Sequence, residues 1–183
     1  LTGTLPRGAV PDQSVDGTIQ LEVKLTGILS LGAFQPNEQP KYGALVAPQV
    51  YAPNHQHFFN VRLDFDLDGT ANTVQQLDAV AEPEGPNNTY GNAFVAQAPP
   101  LTSEKQARAH LKLETGRTWK VVNPARKNAV GTPVGYRFLP GDNAFPLAHP
   151  SAWWRKRARF VDYHVWVTPY HADERWPCGE FPN

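Results

Sequence analysis

The segment His55–Leu67 constrains the fold more than any other stretch of the chain. His55, His57, Phe59, Val61, Leu63, Phe65 and Leu67 share one parity, while Gln56, Asn60, Arg62, Asp64 and Asp66 dominate the other. Successive strand side chains point to opposite faces, so this spacing predicts a half-buried β-strand with both histidines on its apolar face. Asp68-Gly69 predicts a turn, and Val74–Val80 a return strand, which together make a hairpin. Thr18–Thr26 repeats the alternation, with Ile19, Leu21, Val23 and Leu25 set against Gln20, Glu22 and Lys24.

The rest of the chain points the same way. The 18 Pro and 14 Gly among 183 residues favour many turns over long helices. Residues 1–14 are Pro/Gly-rich without periodicity and read as an irregular arm, and residues 35–54, with Pro36, Pro40, Pro48 and Pro53, read as mostly loop. Thr102–Leu113 suits either a helix or a strand before Thr115-Gly116. Arg117–Val122 reads as a strand ended by Asn123-Pro124, and Val161–Thr168 is β-rich. Pro150–Phe160 is the best helix candidate. The expectation is an all-β chain: an irregular arm over residues 1–15, then one antiparallel β-domain over residues 16–183.

Several function classes fall away. With 17 basic against 17 acidic residues, the chain lacks the positive footprint of a nucleic-acid binder. The interleaved Trp153–Arg159 cluster therefore reads as a solvated helix face or a subunit contact. The single cysteine, Cys178, excludes an internal disulfide framework and a multi-cysteine metal cluster. No apolar run approaches the roughly 20 residues that span a bilayer, so no membrane partner is expected. There is no Gly-x-Ser-x-Gly, phosphate loop or dinucleotide fingerprint. Asn87-Asn88-Thr89 matches a glycosylation acceptor, which acts only in a secreted protein. The chain contains no Met and begins Leu1-Thr2-Gly3, which suggests a processed chain or a piece of a longer one.

His55-Gln56-His57 is the leading candidate for chemistry. Histidines at i and i+2 of a strand share a face, so both imidazoles can reach one ion, and copper and zinc accept neutral imidazole. The pair fits either metal ligation or two hydrogen-bonded core histidines. A third ligand has to come from elsewhere, with His110, His149, His164 and His171 as candidates. Jelly-roll enzymes that use His-x-His need a nearby Glu, and Val61-Arg62-Leu63 supplies none. Asp64-Phe65-Asp66-Leu67-Asp68-Gly69 copies the opening of an EF-hand loop, but position twelve is Gln75 and the flanks are strand-like. The three carboxylates fit either a partial calcium site or a solvated acidic face.

Several motifs in order resemble one family. Asp16–Gly27 is similar to the strand that follows the cofactor tyrosine of copper amine oxidases. Ala52–Phe59 with Arg62-Leu63-Asp64 resembles their copper-binding hairpin. Gly91–Phe94, Thr115–Trp119, Asn123-Pro124, Pro133–Tyr136 and Trp166–Tyr170 then follow in the family's order. The resemblance implies a large antiparallel β-sandwich of the copper amine oxidase catalytic type, here incomplete, within a homodimer. It implies oxidative deamination of primary amines, with copper and a tyrosine-derived quinone as cofactors. By position, His55 and His57 would be two of three copper ligands. Asp64 and the carbonyl of Phe65 would be half of a peripheral calcium-type site. Residues 1–15 hold neither Tyr nor Asn, so the cofactor motif Asn-Tyr-Asp/Glu is missing, and no residue here is expected to be the catalytic base. His171–Pro177 only imitates the stretch that carries the third copper histidine. Two readings follow: a segment or subunit of an amine oxidase, inactive alone and completed by the remainder of the chain or a partner subunit, or a stand-alone β-module without catalysis.

Overall fold

The computed structural model describes the backbone of residues 9–13 and residues 17–141 and 143–173. It divides into two units, residues 1–57 and 58–183.

In the first unit, Ala9–Gln13 (β1) pairs antiparallel with Ile19–Val23 (β2), in register from Ala9 opposite Val23 to Gln13 opposite Ile19. The arm expected to be irregular therefore contains a strand. Its Pro11 is compatible with that place because each strand of a two-stranded ribbon has a free edge. The Pro-rich stretch expected as loop also carries strands. Gly32–Ala33 (β3), Gly43–Ala47 (β4) and Val50–Pro53 (β5) form an antiparallel sheet in the order β3-β5-β4. The prolines lie between strands or at a strand end, and Gln49, at φ +62°, turns the chain from β4 into β5. Gly32 and Gly43 flank the Tyr51 ring so closely that a Cβ would lie 2.5 and 2.6 Å from its carbons. No side chain over residues 17–57 is buried.

The second unit holds a core. Thr73–Ala81 (β6), Phe94–Gln97 (β7), Thr118–Lys127 (β9) and Pro133–Phe138 (β10) form an antiparallel sheet in the order β10-β9-β6-β7. Arg108–Ala109 (β8) and Val165–Trp166 (β11) form a short antiparallel ribbon. Trp119, 1% exposed, packs with Ala109 and Val165, and Val74, Leu111, Phe138 and Val167 close around them. Sheet and ribbon thus share one apolar seam, the layered solution that buries the apolar face of each. β9 runs through Asn123-Pro124 rather than stopping there, because the register against β10 slips between Pro133 and Val134. A register break is one place where a residue without an N–H is tolerated inside a sheet. Gly135 is required opposite β9: a Cβ there would sit 2.1 Å from the Val121 carbonyl oxygen.

Two expectations need correction. Residues 54–66 are not in a ladder with any strand among the described residues, and β6 pairs with β7 and β9, so the expected hairpin does not form. Period two records which side chains share a face, not which strand lies alongside. Helix is also shorter than expected, a single turn at Trp153–Arg157 (α1) followed by a 3-10 turn at Arg159–Asp162. Thr102–Leu113 yields only β8 before a 3-10 turn at Leu113–Thr115, and Val161–Thr168 only β11. No helix among the described residues is long and apolar enough to cross a membrane.

Candidate metal centre

His55 and His57 leave the end of β5 as an exposed pair. Their ring centroids are 4.9 Å apart at 76°. His55 Nδ1 lies 3.0 Å from the carbonyl oxygen of Pro53. A carbonyl only accepts, so Nδ1 carries the proton and the Nε2 lone pair faces away, free for a ligand. A backbone acceptor on the far nitrogen is the usual way a metal-binding imidazole is oriented. His55 therefore fits a metal ion as a neutral imidazole donor, with the His57 ring beside it. The expected burial of this face is not observed: Phe59, Val61 and Leu63 are 46, 45 and 42% exposed, and only Phe65 and Leu67 are half-buried.

The acidic turn is built differently from a calcium loop. Asp64 is exposed, and Phe65 packs near Tyr136 with centroids 6.2 Å apart. Asp66 Oδ1 accepts from Gly69 N at 2.8 Å, capping the turn, and Asp68, at φ +54°, pairs with Arg126 at 3.2 Å. Buried Asn123 donates its side-chain amide to the carbonyls of Leu67, at 2.6 Å, and Asp68, at 3.2 Å. Two of the three carboxylates are thus already engaged within the chain. Among the described residues, no three His, Cys, Asp or Glu side chains gather into a group that could hold a metal ion.

The remaining histidines are dispersed. His110 and His164 face each other across the β8–β11 ribbon, with ring centroids 5.7 Å apart. His149 Nδ1 lies 2.8 Å from Ser151 Oγ, and the carbonyl of His171 accepts from Arg62 at 2.8 Å. Cys178 and the stretch from Glu174 to Pro177 lie outside the described residues.

Sequence reasoning missed two supporting networks. Arg117 grips Asp78 with two nitrogens at 2.9 Å, and Thr115 and Gln76 donate to the same carboxylate. Burial raises the Asp78 pKa, but the hydrogen bonds from Arg117, Thr115 and Gln76 and the guanidinium charge outweigh it, leaving the pKa at about 2. Buried Asn88 gathers the turn after β6, donating to the Glu82 carbonyl at 2.9 Å and accepting from Ala93 N at 3.1 Å. This leaves Asn87 and Thr89 exposed around it. A lone Asp on a strand and an Arg 39 residues later carry no local signal of pairing.

Comparison with known proteins places these features in a family. The model of the copper amine oxidase enzyme domain matches residues 13–183. A peroxisomal copper-containing diamine oxidase of Nicotiana tabacum is 45% identical over 172 residues, covering 92% of this chain and 22% of the relative. The histamine oxidase of Arthrobacter globiformis is 40% identical over 170 residues, covering 92% of this chain and 25% of the relative. The crystal structure of a copper-containing benzylamine oxidase from Hansenula polymorpha superposes with a TM-score of 0.74 at 30% identity, over 86% of this chain and 25% of that one. The chain spans about a quarter of the length of the curated relatives it matches. An antiparallel all-β architecture, an orientable His-x-His pair and a family match over most of its length show that this chain belongs to the copper amine oxidase family, within its enzyme domain.

Proposed function

We propose that this chain is the part of a copper-containing primary-amine oxidase that contributes two of its copper ligands, His55 and His57. The complete protein converts primary amines to aldehydes, releasing ammonia and hydrogen peroxide. The observation that carries this reading is the hydrogen bond from His55 Nδ1–H to Pro53, which turns Nε2 outward beside the His57 ring. Bound copper supplies the redox chemistry by which a tyrosine of the complete protein becomes its quinone cofactor. This chain's residues act around that centre: Pro53 fixes the His55 tautomer, and the stretch after β5 sets the two imidazoles side by side.

The third imidazole, the cofactor tyrosine and the catalytic base come from residues outside these 183, and the protein is a homodimer. Residues 16–183 form part of one β-sandwich domain, preceded by the arm at 1–15. Asp64 and the carbonyl of Phe65 provide half of a peripheral calcium-type site. The exposed Val61 and Leu63 support completion of this domain by further chain.

A coupled peroxide assay tests the proposal. The full-length protein, loaded with copper, should release peroxide from a primary amine; the His57→Ala protein should release none, and the 183-residue chain alone none. A full-length protein that loads copper yet oxidises no amine would instead favour a binding module, the reading to which the absence of Tyr and Asn in residues 1–15 lends weight.

A further inference from the structure

The β8–β11 ribbon is closed by an unusual stack. His110 lies on the Tyr163 ring with centroids 4.7 Å apart and planes 7° from parallel, and the Arg108 guanidinium sits 5.2 Å from the centroid of that ring. Phe145 packs against both imidazoles, 4.5 Å from His164 and 5.2 Å from His110. One hydrogen bond decides the protonation state of this cluster: Leu111 N donates to His164 Nδ1 at 3.2 Å. The Nδ1 lone pair is consumed by that bond, so the ring is neutral with its proton on Nε2. A second proton on Nδ1 would set N–H against N–H and break the bond. His110 Nδ1 is buried without a hydrogen-bond partner.

We propose that the His110–His164 pair is an acid-sensitive clasp, which holds β11 against β8 when His164 is neutral and releases it when His164 is protonated. The clasp joins two stretches far apart in sequence, through Leu111 N to His164, His164 N to the Ala109 carbonyl at 3.1 Å and Val167 N to the Ala107 carbonyl at 3.1 Å. The charged groups beside it do not stabilise an imidazolium. Arg108 faces Tyr163 from β8, and Arg117, leading into β9, reaches the His110 carbonyl at 3.4 Å while its charge is matched by Asp78 of β6. Among the described residues no carboxylate pairs with either ring. Burial, then the neighbouring His110, lower the His164 pKa. A histidine depressed in the closed state binds more protons when open. Closure is therefore complete above the ordinary imidazole value and weakens as pH falls below it.

Amide exchange of the full-length protein, corrected for the intrinsic pH dependence of exchange, tests this. Between the open-state and closed-state pKa of His164, protection of residues 107–111 and 163–167 should fall by up to about tenfold per pH unit, the signature of one proton. Protection in β6 and β9 should hold. In His164→Asn the amide oxygen takes the place of Nδ1 as an acceptor that does not titrate, so protection should be the same at pH 7.5 and pH 5. In His110→Phe, which keeps the ring on Tyr163 but removes the neighbouring imidazole, the closed-state pKa moves toward the open-state one, so the loss should level off at higher pH and be smaller in total. Wild-type protection that does not change between pH 7.5 and 5 would overturn the clasp, even if neither variant folds. So would an equal acid loss in a folded His164→Asn.

Discussion

The Asp78–Arg117 pair gives the sharpest energetic prediction. Asp78→Asn keeps the side chain's shape but removes the charge that Arg117 and Thr115 face. The Asp78 carboxyl titrates at about 2 instead of 3.8, and about 1.4 kcal/mol per unit makes its ionisation worth about 2 kcal/mol to folding at neutral pH. Both side chains are largely shielded, at 19% and 17% exposure, so screening by water removes little of this. The sign follows from a depressed carboxylate: the contribution is complete well above 3.8 and is lost as pH falls through about 2. Roughly half of it should remain at pH 3 and little at pH 2. Urea unfolding of wild type and Asp78→Asn at pH 7, 4 and 3 gives the difference directly, and effects of other carboxylates cancel in it. A difference of about 2 kcal/mol at pH 7 that narrows toward pH 3 is expected. A gap that stays constant with pH would show that the network acts through packing rather than charge.

Three further outcomes follow from the fold. Trp119→Ala empties the centre of the second unit and should cost about 3–5 kcal/mol in denaturant unfolding, against well under 1 kcal/mol for Val130→Ala on the surface. Asn123→Ala unties the 67–69 turn and leaves two carbonyls without their donor, with an expected cost of about 1–3 kcal/mol and faster proteolysis at that turn. Gly135→Ala forces β10 away from the Val121 carbonyl; amide exchange in β10 should rise while that in β7 is unchanged.

β6 and β9 of the second unit and β2 of the first were legible in the sequence, whereas β7 and β10 were not. Val74–Val80 and Arg117–Val122 were readable because each is a short β-prone run beside turn residues, and β6 and β9 form there. β4 and β5 were hidden by prolines, since four of them in a short span suggest loop, whereas their spacing lets strands fit between. The stretch after His57 shows the limit of periodicity. Its apolar parity is unmistakable, yet Phe59, Val61 and Leu63 are half exposed, because the face needs a covering layer that local spacing does not supply. The His-x-His pair was legible from two residues. The Pro53 carbonyl that sets its tautomer was not, because a backbone acceptor leaves no mark in side-chain identity.

The central claim is the proposal that His55 and His57 bind one copper ion together, His55 through the Nε2 that its bond to Pro53 turns outward. Pulsed EPR of the full-length protein loaded with one equivalent of Cu(II) measures this, because each coordinated imidazole modulates the echo through its remote nitrogen. Wild type should show several coordinated imidazoles. His55→Ala and His57→Ala should each remove one and weaken copper retention against a chelator. An unchanged imidazole count and unchanged retention in both variants would contradict the account.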